Sequence, residues 1–271
     1  MSRIEYLLAR EAGQHVPTWP MQFNKHFRKC CVDRLFKLSC CTFATEQTIY
    51  QAIAMLDRIA TLMPINHASN TFMSLLTISC FDIAYKCFDA DTMINFAILY
   101  HYVLHAANEH VILWPDFKKQ LRDTELYALT LLDSDVTSVT ASEYLLEVTT
   151  WYGKPYPLSS ITGCRVFSPR VCCDMAVSAF LFFNPSSRYT SFELAAGAGH
   201  LAEMLTEGFE VSSRPLDMIK AAFGEGKLNE LCSNMASCVD QLLSNPCYKD
   251  AGFDRKFSDL EEGSENVMIL G

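Results

Sequence analysis

Apolar residues recur at helical spacing along almost the whole chain, and no stretch alternates apolar with polar residues as a half-buried strand does. This pattern excludes folds built on a sheet and predicts an all-α protein. Ser2 and Glu5 form a capping box for a short first helix that carries Ile4, Leu7 and Leu8. The stretch Val16–Pro20 breaks it, and a second helix is expected over about 24–38, with Phe27, Cys31, Leu35 and Leu38 on one face. Thr45 caps a third helix with the stripe Ile49, Ile53, Leu56, Ala60, and Pro64 ends it. Further helices are expected from Asn70 through Cys87, from Asp91 to about His105, and from Pro115 through Leu132, proline being suited to a first helical turn.

The second half has the same character with less regularity. Helices are expected over about 138–148, 169–183, 191–205 and 229–243, with a Gly/Pro-rich link over 153–163 and an Asn184-Pro185 turn. The segment 252–271 is polar and acidic and is expected to lack a fold of its own. The organisation is thus two helical lobes, 1–133 and 134–251, followed by the tail 252–271, with the boundary near 133–138.

Composition narrows the partners. Thirty-one acidic residues against 22 basic ones give a net charge of −9. Such a balance disfavours nucleic acid and anionic membranes, whose phosphates need a basic face. No apolar run approaches a bilayer span on this reading, and the N-terminus lacks the order of a signal peptide, so a soluble intracellular protein is expected. The twelve cysteines include no CxxC pair, and free, buried thiols are expected rather than a zinc site or disulfides.

Four charges stand out against the helical pattern. Lys86 falls within the apolar stripe of its helix, and Glu125 falls at the edge of another. Either the two pair beneath a bound partner, or each reaches solvent along its own stem. Arg28 opens the second helix and Asp57 flanks the stripe of the third. Either they tie the helices by a bidentate bond or each is an exposed charge.

The segments carrying these charges resemble the cyclin family. FRKCCVDRL, Phe27–Leu35, is similar to the opening of a cyclin box. AMLDRI, Ala54–Ile59, resembles the Leu-Asp-Arg motif, at the family spacing. IAYK, ending at Lys86, is similar to Ala-Ser-Lys, and QLRDTELYALTLLDSDV, Gln120–Val136, resembles the helix bearing the family's glutamate, here Glu125. The likeness covers about residues 4–145 and weakens beyond, where Phe180–Ala198 is similar to the second lobe of D-type cyclins and of the gamma-herpesvirus cyclins. It implies a two-lobed cyclin fold of about five helices per lobe. It further implies a non-enzymatic subunit with no cofactor, which binds and activates a cyclin-dependent kinase in G1-type cell-cycle control, in nucleus and cytoplasm, with a retinoblastoma-type protein among possible substrates. By the resemblance Arg28 and Asp57 are the internal salt bridge, and Lys86 and Glu125 grip the kinase. The family's substrate-docking groove maps to Phe27, Cys30, Cys31, Arg34 and Lys37, which are less apolar and more basic than the family pattern.

Other readings are weaker in pattern. Gly197-x-Gly199-x-x-Ala202 is similar to a nucleotide loop of methyltransferases using S-adenosylmethionine, but such a loop must leave a strand. A cyclin-fold adaptor that binds without activating is the other alternative. His101, His105 and Glu109 share a helical face without a metal-binding motif. Leu7–Glu11 differs from the Leu-x-Cys-x-Glu peptide that binds retinoblastoma-type proteins by having Ala9 for the cysteine.

Overall fold

A computed structural model of the chain describes residues 3–14, 25–63, 69–89, 94–106, 113–149, 156–158, 165–167, 169–185, 188–204 and 224–244. Ten helices lie among them: α1 (Arg3–Ala12), α2 (Lys25–Thr42), α3 (Glu46–Leu62), α4 (Asn70–Phe88), α5 (Phe96–Ala106), α6 (Trp114–Leu131), α7 (Ala141–Thr149), α8 (Pro169–Phe183), α9 (Ser191–Met204) and α10 (Glu225–Ser244). Their contacts divide the chain into two units, residues 17–138 and residues 1–16 with 139–247. The boundary falls at the far end of the expected 133–138 stretch. The expectation that groups the first helix with the first lobe is not met, because α1 packs on α7.

The first unit is organised around α4, which packs against α2, α3, α5 and α6. Every residue from Met73 to Tyr85 is buried, so α4 has no solvent face over that stretch. Two of its hydroxyls bond back within the helix, Thr77 donating to the Met73 carbonyl and Ser74 to that of Asn70, while the buried Ser79 hydroxyl has no hydrogen-bond partner among the described residues. Ser69 accepts from the Phe72 amide at 3.1 Å and so caps the start. Contrary to the sequence expectation, α4 is long and apolar enough, by length and composition, to cross a bilayer; most of it is buried inside its own unit. Phe36, Leu35, Ile49, Ile53, Leu56, Phe81 and Phe117 fill the core around it. Each such side chain contributes about 1.5–3 kcal/mol when removed from water.

The α2–α3 corner is fastened to the end of α4. Asp89 accepts from the Thr45 amide at 3.0 Å, the Thr45 hydroxyl at 3.2 Å and the Thr48 hydroxyl at 2.6 Å. Thr45 occupies the cap position expected of it, yet its hydroxyl donates to Asp89 instead of capping its own helix.

In the second unit α8, α9 and α10 pack on one another and α7 lies on α8 and α9. Gly197 sits inside α9, where a Cβ would stand 2.7 Å from Leu231 Cδ2 of α10. The glycine motif is therefore a close helix crossing within a helix, which answers the methyltransferase reading. Thr190 and Glu193 form a reciprocal capping box at the start of α9. Glu11 of α1 also serves that end, accepting from the amide of Ser191 and from the Tyr144 hydroxyl. Leu7 is buried and Glu11 is engaged, so this segment is docked helix and not an extended peptide. One departure from an all-helical reading is a small antiparallel pair, β1 (Tyr156–Leu158), inside the expected link, and β2 (Arg165–Phe167), just beyond it.

Candidate partner-binding site

Four of the residues singled out from sequence stand in two clusters, both in the first unit. Arg28 and Asp57 meet across α2 and α3, with Arg28 Nε 2.8 Å from Oδ1 and Nη2 2.9 Å from Oδ2. Their side chains are 4% and 0% exposed, which selects the helix-tying reading over the solvated one. The pair lies among apolar neighbours. The thiols of Cys31 and Cys80 are both raised from their ordinary value, chiefly by burial. Beside them, Arg58 ties α3 to the segment leaving α6 by donating to the Asp135 carbonyl at 2.8 Å.

The second cluster joins α4 to α6. Lys86 Nζ lies 3.1 Å from Glu125 Oε1 and 2.7 Å from Asp82 Oδ2. Lys86 is 54% exposed, Glu125 17% and Asp82 2%. Lys86 is thus not in the middle of an apolar stripe, as its spacing suggested. The buried run of α4 ends at Tyr85, and Lys86 is where the last turn reaches solvent. The ammonium sits between two carboxyls, one from its own helix and one from the next. Burial lowers the tendency of Lys86 to hold its proton, but Asp82 and Glu125 more than offset this, and its value rises. Burial, then Asp82 beside it, pushes Glu125 up to about 7 against the opposing pull of Lys86.

Asp82 is the member that the sequence reading missed. Its signal is an Asp–Lys pair at i, i+4, within a helix that carries no other charged residue. The result is a half-exposed ledge carrying an ammonium and a carboxyl side by side. Such a ledge suits peptide groups, since the ammonium donates to carbonyls and the carboxylate accepts from amides.

The expected docking groove is only partly a surface. Cys31 is buried and lies in the core, one helical step away from the exposed side. Phe27, Cys30, Arg34 and Lys37 are partly exposed and share one face of α2. Arg34 donates to the Ser74 hydroxyl at 2.7 Å, and Lys37 pairs with Asp33 at 2.6 Å. His101 is exposed on α5, while Glu109 and the tail 252–271 lie outside the described residues.

No family model and no curated protein sequence matches the chain. Solved structures do. The chain has the cyclin fold. It is similar to the crystal structure of a viral cyclin from herpesvirus saimiri, with a TM-score of 0.62 and 15% identity over 90% of this chain and 97% of that one. It is also similar to a chain of the yeast RNA polymerase II CTD kinase complex CTDK-1, with a TM-score of 0.55 and 14% identity over 89% of this chain and 76% of that one.

Proposed function

We propose that this chain is a cyclin-type regulatory subunit, without catalytic groups of its own, that binds and activates a cyclin-dependent protein kinase in G1-type control. The observation that carries this reading is the half-exposed Lys86–Glu125 pair across α4 and α6, on a cyclin fold. A kinase segment laid over the ledge would receive the ammonium at its carbonyls and offer amides to the carboxylate. Binding the kinase form whose mobile helix is swung inward shifts the population toward that form. That placement completes the Lys–Glu pair inside the kinase active site.

The test is recovery of kinases from lysate on the immobilised chain, followed by titration and a phosphorylation assay with each purified kinase. Glu125→Ala removes an acceptor at the centre of the interface and is expected to cost about 2–5 kcal/mol of binding. That is a loss of roughly thirtyfold to several thousandfold. Lys86→Ala alone is a poor probe, because it strands Asp82, which is 2% exposed. Lys86→Ala with Asp82→Asn is the cleaner variant. Wild-type affinity in these variants refutes the reading. Binding without a rise in phosphorylation favours the adaptor.

A further inference from the structure

The ledge holds more negative charge than a lysine–glutamate pair requires. One ammonium faces two carboxyls, and the nearer of them, Asp82 at 2.7 Å, is the more deeply buried. Asp82 Oδ2 is enclosed and meets Lys86 without accepting a hydrogen bond of regular geometry. A carboxylate in that position cannot turn to water, so it holds its claim on the ammonium, and Glu125 receives only what remains. The charged groups acting on Glu125 are Asp82 and Lys86, both on α4; among the described residues α3, which also packs on α6, contributes none.

We propose that Asp82 is a positioning residue of the partner site, which holds Lys86 on the ledge and makes docking at Glu125 release a proton. This rests on the functional reading above and deepens it. An ionised carboxylate offers peptide amides two acceptor oxygens and charge-assisted bonds, whereas a carboxylic acid keeps only its carbonyl as a good acceptor and turns its hydroxyl into a donor. A partner therefore selects ionised Glu125, and wherever the free protein carries the proton there, docking expels it to the buffer. Because Glu125 titrates near neutral pH in the free protein, the expulsion falls in the working range.

The experiment is a titration of the kinase recovered above against wild type, Asp82→Asn and Asp82→Leu at several pH values. It is paired with a carboxyl-carbon NMR titration of the free chains. Wild-type affinity is expected to rise about tenfold from pH 6 to pH 8, following the ionised fraction of a group that titrates near 7. In both variants the profile is expected to shift to lower pH, with the Glu125 resonance titrating below its wild-type position while burial still acts on it. Asp82→Leu guards against a folding artefact of the amide, since a leucine continues the apolar surface of α4. Equal pH profiles in wild type and variants, or an unmoved Glu125 titration, overturn the role of Asp82 while leaving the partner site standing. Failure of wild type to bind any kinase at any pH overturns the functional reading and this inference with it.

Discussion

Replacing Arg28 with methionine tests what holds α2 to α3. The wild-type guanidinium meets both oxygens of Asp57, at 2.8 and 2.9 Å, and both side chains are almost wholly enclosed. Methionine keeps most of the volume but removes the charge and the fork of donors. Asp57, with 0% exposure, then loses its bidentate partner where water cannot take over. Breaking one side of a buried pair costs about 3–5 kcal/mol, well above the 0–1 kcal/mol typical of an exposed pair. For a domain of this general size, about 1 kcal/mol moves Tm by roughly 3–6 °C. The first unit of Arg28→Met is therefore expected to melt about 10–30 °C below wild type. Differential scanning calorimetry with urea unfolding is the assay. The double variant Arg28→Met with Asp57→Leu removes the stranded charge and is expected to recover most of the loss, since apolar replacement of a whole buried pair is often neutral. A Tm within about 2 °C of wild type in the single variant refutes the reasoning. So does a double variant less stable than the single one.

Gly197→Ala places a methyl 2.7 Å from Leu231 Cδ2 and 2.9 Å from its Cγ. Alanine's better helix propensity, worth about 1 kcal/mol, opposes a clash of about 1–3 kcal/mol, so a net loss of stability in the second unit is expected in a thermal melt. Glu125→Gln tests the pH dependence of stability. Because Glu125 is raised to about 7 in the fold, its favourable contribution is complete below its ordinary value of 4.5 and is lost as pH rises through about 7. The melting temperature of the glutamine variant relative to wild type is expected to climb between pH 5 and pH 8, and a difference independent of pH would refute the shift.

Helical periodicity by itself determined the secondary structure of most of the chain. The stripe of α3 and the apolar run of α4 can only be buried as helices, because their spacing matches 3.6 residues per turn. The same pattern exposed Arg28, Asp57, Lys86 and Glu125 as charges out of register with their surroundings. Sequence could not say which of these charges were enclosed, since a long side chain can lie along apolar surface and still end in water. Tertiary packing decided that: Arg28 and Asp57 are sealed between two helices, whereas Lys86 emerges where α4 leaves its neighbours. Asp82 was hidden because its importance comes from α6, which brings Glu125 to the same ammonium across 39 positions of sequence. Cys31 was misplaced because on a helix one residue is about 100°, enough to turn a groove residue into core. The seating of α1 was also beyond local reading. Glu11 reaches the amide of Ser191, 180 residues further along, and only the closed fold places an unsatisfied helix start beside that carboxylate.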